Sequence, residues 1–292
     1  MIDAHHHLWD LSAVSYPWLE DKSKKRFFGD PTPIQKNYLI QDFKKDCKPH
    51  GFNASIHIQV GAKEPAKEAI WVDDIIKNHP DWNMKQVVFC DLTKSEMRLE
   101  MEKFEILPSV AGVRQILSRA PGKEAGSILL DNIASPIVLQ NLKTLSKLGD
   151  SFDLQLIPEV MKQASLLFEK VPELKVALCH AGSPHDRTIE GINYWQKALK
   201  SLSSLSNVTC KISGLGMFKN NWTIEDFRPI IETCLDQFGS ERCMFGSNFP
   251  VDSLWASFDE IYDGFKNITA EMSQNEIKCL FHDNAVKYYN PI

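Results

Sequence analysis

Short apolar runs alternate with longer amphipathic stretches along this chain. The apolar runs occupy residues 1–7, 54–60, 86–92, 110–116, 152–157, 175–180, 208–213 and 242–248. Each is of strand length, and a helical pattern lies between most of them. In residues 64–78, Ala66, Ala69, Ile70, Val72 and Ile76 fall on one face, with charges on the other. Residues 136–148 run up to Gly149 and residues 223–238 up to Gly239, and glycine is a common stop just past a helix. Thr223-Ile224-Glu225-Asp226 comes near the capping-box pattern that starts a helix. Eight strand-then-helix units require parallel strands joined by right-handed crossovers. Eight of them in 292 residues predict closure into an α/β fold of the (β/α)8 TIM-barrel type, one domain over residues 1–292. An open doubly wound sheet would carry a Gly-rich turn after its first strand. Here no glycine precedes Gly29.

Two segments fall outside the repeat. Residues 10–38 form a long irregular stretch containing Tyr16, Pro17, Trp18, Phe27 and Phe28. So many apolar side chains need cover, and the barrel mouth is the nearest concave surface, so this segment is expected over the pocket. A last helix at about residues 273–289 is expected to cap the barrel.

In such a barrel the chemistry sits at the C-terminal ends of the strands. The first strand ends in His5-His6-His7, where His5 and His7 share a face and His6 points away. The second carries His57 and Gln59, the third ends at Asp91, and the fourth carries Arg114 and Gln115. The fifth carries Asp153 and Gln155, the sixth ends at His180, the seventh carries Lys211, and the eighth ends at Asn248. A His-x-His pair alone is a weak signal, but His180 ends another strand and can converge on it. Three imidazoles around one point can hold a divalent metal or clamp a substrate carbonyl. Arg114 and Lys211 are cations inside apolar strands, each suited to binding a substrate anion or to a buried ion pair. Trp9, Tyr16 and Trp18 can line a pocket, Trp9 equally the core. His185 and Arg187 lie on the loop after the sixth strand, where solvated side chains are the commoner case.

Composition narrows the class. A net charge of −5 offers no nucleic-acid or membrane surface, and no apolar run is long enough to span a bilayer. Seven cysteines without a C-x-x-C pair, several inside apolar runs, behave as small hydrophobes. With Met1 leading straight into Ile2-Asp3-Ala4-His5, a reducing cytoplasm is the expected compartment. The expected partner is a small-molecule substrate; a homo-oligomer is compatible with the sequence.

The ordered strand ends resemble the amidohydrolase-related hydrolases, and within them the lactonase group that includes L-fuconolactonase and pyrone-dicarboxylate lactonase. The likeness rests on Ile2-Asp3-Ala4-His5-His6-His7-Leu8-Trp9-Asp10, Tyr16-Pro17-Trp18-Leu19 and Gly112-Val113-Arg114. It continues through Cys179-His180-Ala181-Gly182-Ser183-Pro184, Cys210-Lys211-Ile212-Ser213-Gly214-Leu215 and Arg242-Cys243-Met244-Phe245-Gly246-Ser247-Asn248-Phe249-Pro250-Val251. The resemblance implies lactone opening on a carboxylic ester bond, with metal-assisted decarboxylation and a non-catalytic binding barrel as alternatives. It implies His180, Asn248 and Asp252 as the catalytic set, with Trp18, Gln59, Arg114, Gln155 and Lys211 binding substrate. It allows one divalent metal, zinc first, on His5, His7 and His180, and equally a metal-free reaction, since the group has members of both kinds. Many relatives place an aspartate where this chain has Asn248. An amide cannot accept a proton near neutral pH, so either Asp252 or His180 is the base, or Asn248 orients the water or a substrate carbonyl, or hydrolysis is lost.

Overall fold

The computed structural model describes residues 1–23, 25–118 and 135–292. Its strands are β1 (Ile2–His6), β2 (Ala54–Ile58), β3 (Asn83–Phe89), β4 (Val110–Ile116), β5 (Ser151–Gln155), β6 (Val176–Leu178), β7 (Val208–Ile212) and β8 (Cys243–Phe245). They form one sheet in sequence order, every neighbouring pair parallel. The last strand returns to the first just beyond the ladder. Asn248 N donates to His5 O and His7 N donates to Phe249 O, both at 2.7 Å. Asp3 strengthens the joint, its Oδ1 accepting from the backbone N–H groups of His5 and Ser247, each at 3.0 Å. Glycine is needed here, because a Cβ on Gly246 would stand 2.5 Å from His5 Cβ. The fold is thus the eight-stranded (β/α)8 barrel that the alternating pattern predicts.

The helices follow the pattern closely. Pro65–Asn78 and Pro136–Leu148 occupy the expected spans, the second ending at a left-handed Gly149. Thr223 caps Ile224–Phe238 with a true capping box, the Asp226 carboxylate accepting from Thr223 N at 2.8 Å. The final helix is less regular than its periodicity suggests. It divides into Gln274–Lys278, a wider π-helical turn at Cys279–Asp283, and Asn284–Tyr289. Its last piece sets Ala285 and Tyr289 against Ile2 and Ala54, at the start of β1 and β2, so it closes the lower end of the barrel.

Three apolar clusters of described residues hold the structure, one of them, with Trp9, Tyr16, Leu19 and Phe28, under the aromatic segment. A large outer cluster packs the helices on the sheet. A small inner one, including Ile2, Ala4, Ile56, Ile58, Val87 and Met244, fills the lower barrel interior. Lys211 belongs to that lower interior and not to the pocket wall. Its ammonium lies 2.7 Å from Asp153 Oδ2 with both side chains fully buried, and the Tyr289 hydroxyl donates to the same carboxylate at 2.8 Å and 2.9 Å. Lys211 points away from the flanking Cys210 and Ile212, which join the outer cluster, and its long stem carries the charge across to Asp153 on β5.

Candidate active site

The upper strand ends surround a pocket of about 510 Å³. Its walls include His7, Gln59, Arg114, Gln155, His180 and Asn248, with Trp18 and Phe28 from the long aromatic segment. The aromatic loop therefore does stand over the barrel mouth. Trp18 is pinned there by its indole N–H, which donates to Val60 O at 2.6 Å. Of the candidate catalytic, substrate-binding and metal residues, Lys211 and Asp252 are not wall residues, and His5 lies just beneath the wall, fully buried, while Trp9 and Tyr16 are core. Phe27 and Arg26 come with the aromatic segment, whereas Met217, also in the wall, carries no periodic or strand-end signal.

A local break in β1 aims the histidines. Pairing with β2 slips by one residue between Asp3 and His6, which is how a bulge re-aims side chains. His5 then lies against His180, ring centroids 4.6 Å apart, and against His7 at 5.2 Å. His6 turns outward and stacks on Phe43 at 3.8 Å. The other strand ends make unusual turns. His180, Ala181, Gly182 and Ser183 are four successive left-handed residues, and Asn248 is left-handed too. Each non-glycine residue in that region costs roughly 1–2 kcal/mol, and such strain gathers where side chains must be aimed. Gly214 makes room for this turn, since a Cβ there would stand 2.6 Å from His180 Nδ1.

The hydrogen bonds set the tautomers. His7 Nδ1 faces the Ile58 carbonyl at 2.8 Å, so that nitrogen carries the proton and Nε2 is the lone pair. His180 Nδ1 faces the Ser213 carbonyl at 3.3 Å and hydroxyl at 3.0 Å, again leaving Nε2 free. His5 has no hydrogen-bond partner on either ring nitrogen. Burial first, and then the charges of Lys211 and Arg114 and the neighbouring rings, hold His5 and His180 well below the usual imidazole range. Burial and then Arg114 press His7 down to about 3. All three are neutral bases at pH 7.

Asn248 and Asp252 form the opposite wall and its support. Asn248 Nδ2 donates to Asp252 Oδ1 at 2.8 Å, which turns Asn248 Oδ1 toward His7 Nε2 at 3.2 Å. With His7 neutral these are two acceptors face to face, a spot suited to something that donates to both. Burial pushes Asp252 up to about 7, against the Asn248 amide and the Gly216 N–H, which favour its ionised form. Arg114 reaches over the pocket from β4, donating to Gln59 O at 3.2 Å and to Gln155 Oε1. Among the described residues it has no carboxylate partner, and its Nε is buried without one. His185 and Arg187 are used elsewhere, His185 by Glu159 at 3.1 Å and Arg187 by Asp226 O.

A metal is partly provided for. His7 and His180 have the usual ligand arrangement, one ring nitrogen tied to a carbonyl and the other free, and the orphaned nitrogens of His5 lie beside them. Three imidazole nitrogens with an open position suit zinc in donor type. Among the described residues, no three His, Cys, Asp or Glu side chains already stand in a metal-holding arrangement.

Known proteins share both the sequence and the architecture. An uncharacterized protein of Sinorhizobium fredii, y4mH, is 38% identical over 294 residues, covering 99% of this chain and 98% of its own. An L-fucono-1,5-lactonase of Burkholderia ambifaria is 21% identical over 266 residues, 89% of this chain and 83% of that one. Among solved structures, an amidohydrolase from Burkholderia multivorans with bound Zn has a TM-score of 0.83 at 20% identity, covering 99% and 98% of the two chains, a likeness of fold. The amidohydrolase family model matches residues 2–290, which takes in every strand and all the histidines of the pocket. With the barrel complete and the pocket at its strand ends, this chain belongs to the amidohydrolase family.

Proposed function

We propose that this protein is a lactone hydrolase. The observation that carries the reading is the gathering of neutral His7 and His180 around one pocket with Arg114, which has no acid partner among the described residues. The reading is supported by the 21% identical L-fucono-1,5-lactonase, which matches most of the chain. Arg114 holds the anionic or hydroxyl-rich part of the substrate and stabilises the oxyanion that develops on the carbonyl. Asn248 Oδ1 accepts one hydrogen of a water and orients it, the other hydrogen pointing to His180 Nε2. His180 Nε2 takes the proton as the water oxygen bonds to the carbonyl carbon. The tetrahedral centre then collapses, the ring C–O bond breaks, and His180 returns its proton to the departing oxygen. Asp252 is a positioning residue, acting through the Asn248 amide. Trp18 and Phe28 exclude solvent. In a metal-bound form His5, His7 and His180 would hold a divalent cation that would polarise the substrate carbonyl, and His180 would then be a ligand and not the base.

The test is a panel of aldonolactones followed by acid release, with the spontaneous rate subtracted. Turnover of at least one lactone, abolished by His180→Gln, is expected. If His180→Gln matches the wild type on every lactone, the reading is wrong.

A further inference from the structure

A second chamber of about 360 Å³ adjoins the pocket. Phe27, Gln155 and Met217 belong to the walls of both, so one molecule can extend from one into the other. The far wall of the second chamber is the loop after β7, with Phe218, Asn220 and Asn221. Nothing in the chemistry above uses it.

Its lining indicates what it would bind. Among the described residues, its two basic side chains already face acids, His185 toward Glu159 at 3.1 Å and Lys219 toward Asp226 at 4.0 Å. An anion has less to gain there than at Arg114, which has no acid partner among the described residues. Asn220 and Asn221 offer amide donors and acceptors, and among the described residues neither makes a side-chain hydrogen bond. Phe27 and Phe218 lie nearly parallel, ring centroids 6.0 Å apart, and give the chamber an apolar face. Amides match hydroxyls, which donate and accept, and an aromatic face accommodates the C–H surface of a ring.

We infer that the second chamber is a subsite for a neutral, hydroxyl-rich ring, so that the preferred substrate is a lactone carrying a further glycosyl unit. The inference rests on the lactonase reading for the identity of the first unit. The glycosyl unit sits beside Asn220 and Asn221, the lactone among the histidines, and Gln155 marks the junction.

The test uses binding, which does not depend on turnover. Calorimetry compares gluconate with cellobionate, the same acid carrying a second glucose. Two added neutral hydrogen bonds make cellobionate on the order of tenfold tighter. Combining Asn220→Ala with Asn221→Ala brings the ratio of the two affinities toward one, with circular dichroism to confirm the fold. Equal affinities in the wild type, no binding of either acid, or a ratio that survives the double variant would overturn the subsite. Lactone turnover is measured separately, so a failed lactonase reading and a failed subsite give different results.

Discussion

At the lower end of the barrel, Lys211, Asp153 and Tyr289 satisfy one another, fully buried. At the upper end, among the described residues, His5 has no partner on either ring nitrogen, Arg114 Nε has none, and His7 and Asn248 turn acceptors toward each other. The backbone differs in degree, with left-handed residues at His180, Ala181, Ser183 and Asn248 above and Asn290, which ends the last helix, below. Both ends hold buried charge in one barrel. The lower end uses it to close the interior, whereas the upper end leaves polar capacity open for something that is not part of the chain. A buried polar group left unmet costs free energy, so this asymmetry marks the end that binds.

The largest expected effect separates the two ends directly. His180→Gln lowers kcat by roughly 10²–10⁴-fold, the usual worth of a general base, with little change in melting temperature. A variant of low stability and normal kcat per folded molecule would move His180 to the structural side. Lys211→Met does the reverse. Removing one partner of a buried pair typically costs about 3–5 kcal/mol. Denaturant unfolding should show that loss, while kcat/KM of the folded fraction stays near the wild type. Unchanged stability would mean that the lower end needs no ion pair. Arg114→Met is expected to lower kcat/KM through loss of about 1.5–3 kcal/mol of charged hydrogen bonding, in KM from the substrate contact and in kcat from the oxyanion contact, with the midpoint of unfolding nearly constant. A large fall in that midpoint at constant kcat/KM would make Arg114 a structural cation like Lys211.

The smallest effect is on pH dependence. His5, His6, His7, His57 and His180 are held below their ordinary value, by burial first in every case. Unfolded, they take up protons at about pH 6.5. Below that pH the unfolded chain binds more protons, so stability present at neutral pH is lost in acid. Asp3, raised to about 6, Asp252, to about 7, and Glu68, to about 8, work in the opposite sense. They bind protons in the folded state, and their contribution fades as pH rises through those values. Asp46 and Asp150 are raised too, by smaller shifts, and the five histidines, all taking up protons in the unfolded chain across this interval, outweigh the carboxyls, so the melting temperature should fall by a few degrees from about pH 7 to about pH 5. A rise over that interval would show that the carboxyls dominate.

The sequence by itself determined the eight units, their parallel order, and which end holds the chemistry. Those follow from local periodicity and from the handedness of crossovers, which need no knowledge of distant contacts. It also separated His5 and His7 from His6, because alternation is a property of the strand alone. Tertiary structure decided the rest. Lys211 and Arg114 look alike in sequence, each a cation in an apolar strand, yet one reaches to Asp153 and the other to Gln59 and Gln155. Nothing local distinguishes them, since the choice depends on what the neighbouring strand presents at that height. Asp252 likewise reads as a substitute base, but the turn after β8 puts Asn248 between it and the pocket. The second chamber has no sequence signal, because its walls come from loops far apart along the chain. Register and packing place a side chain in three dimensions, and neither is written in the residue's own neighbourhood.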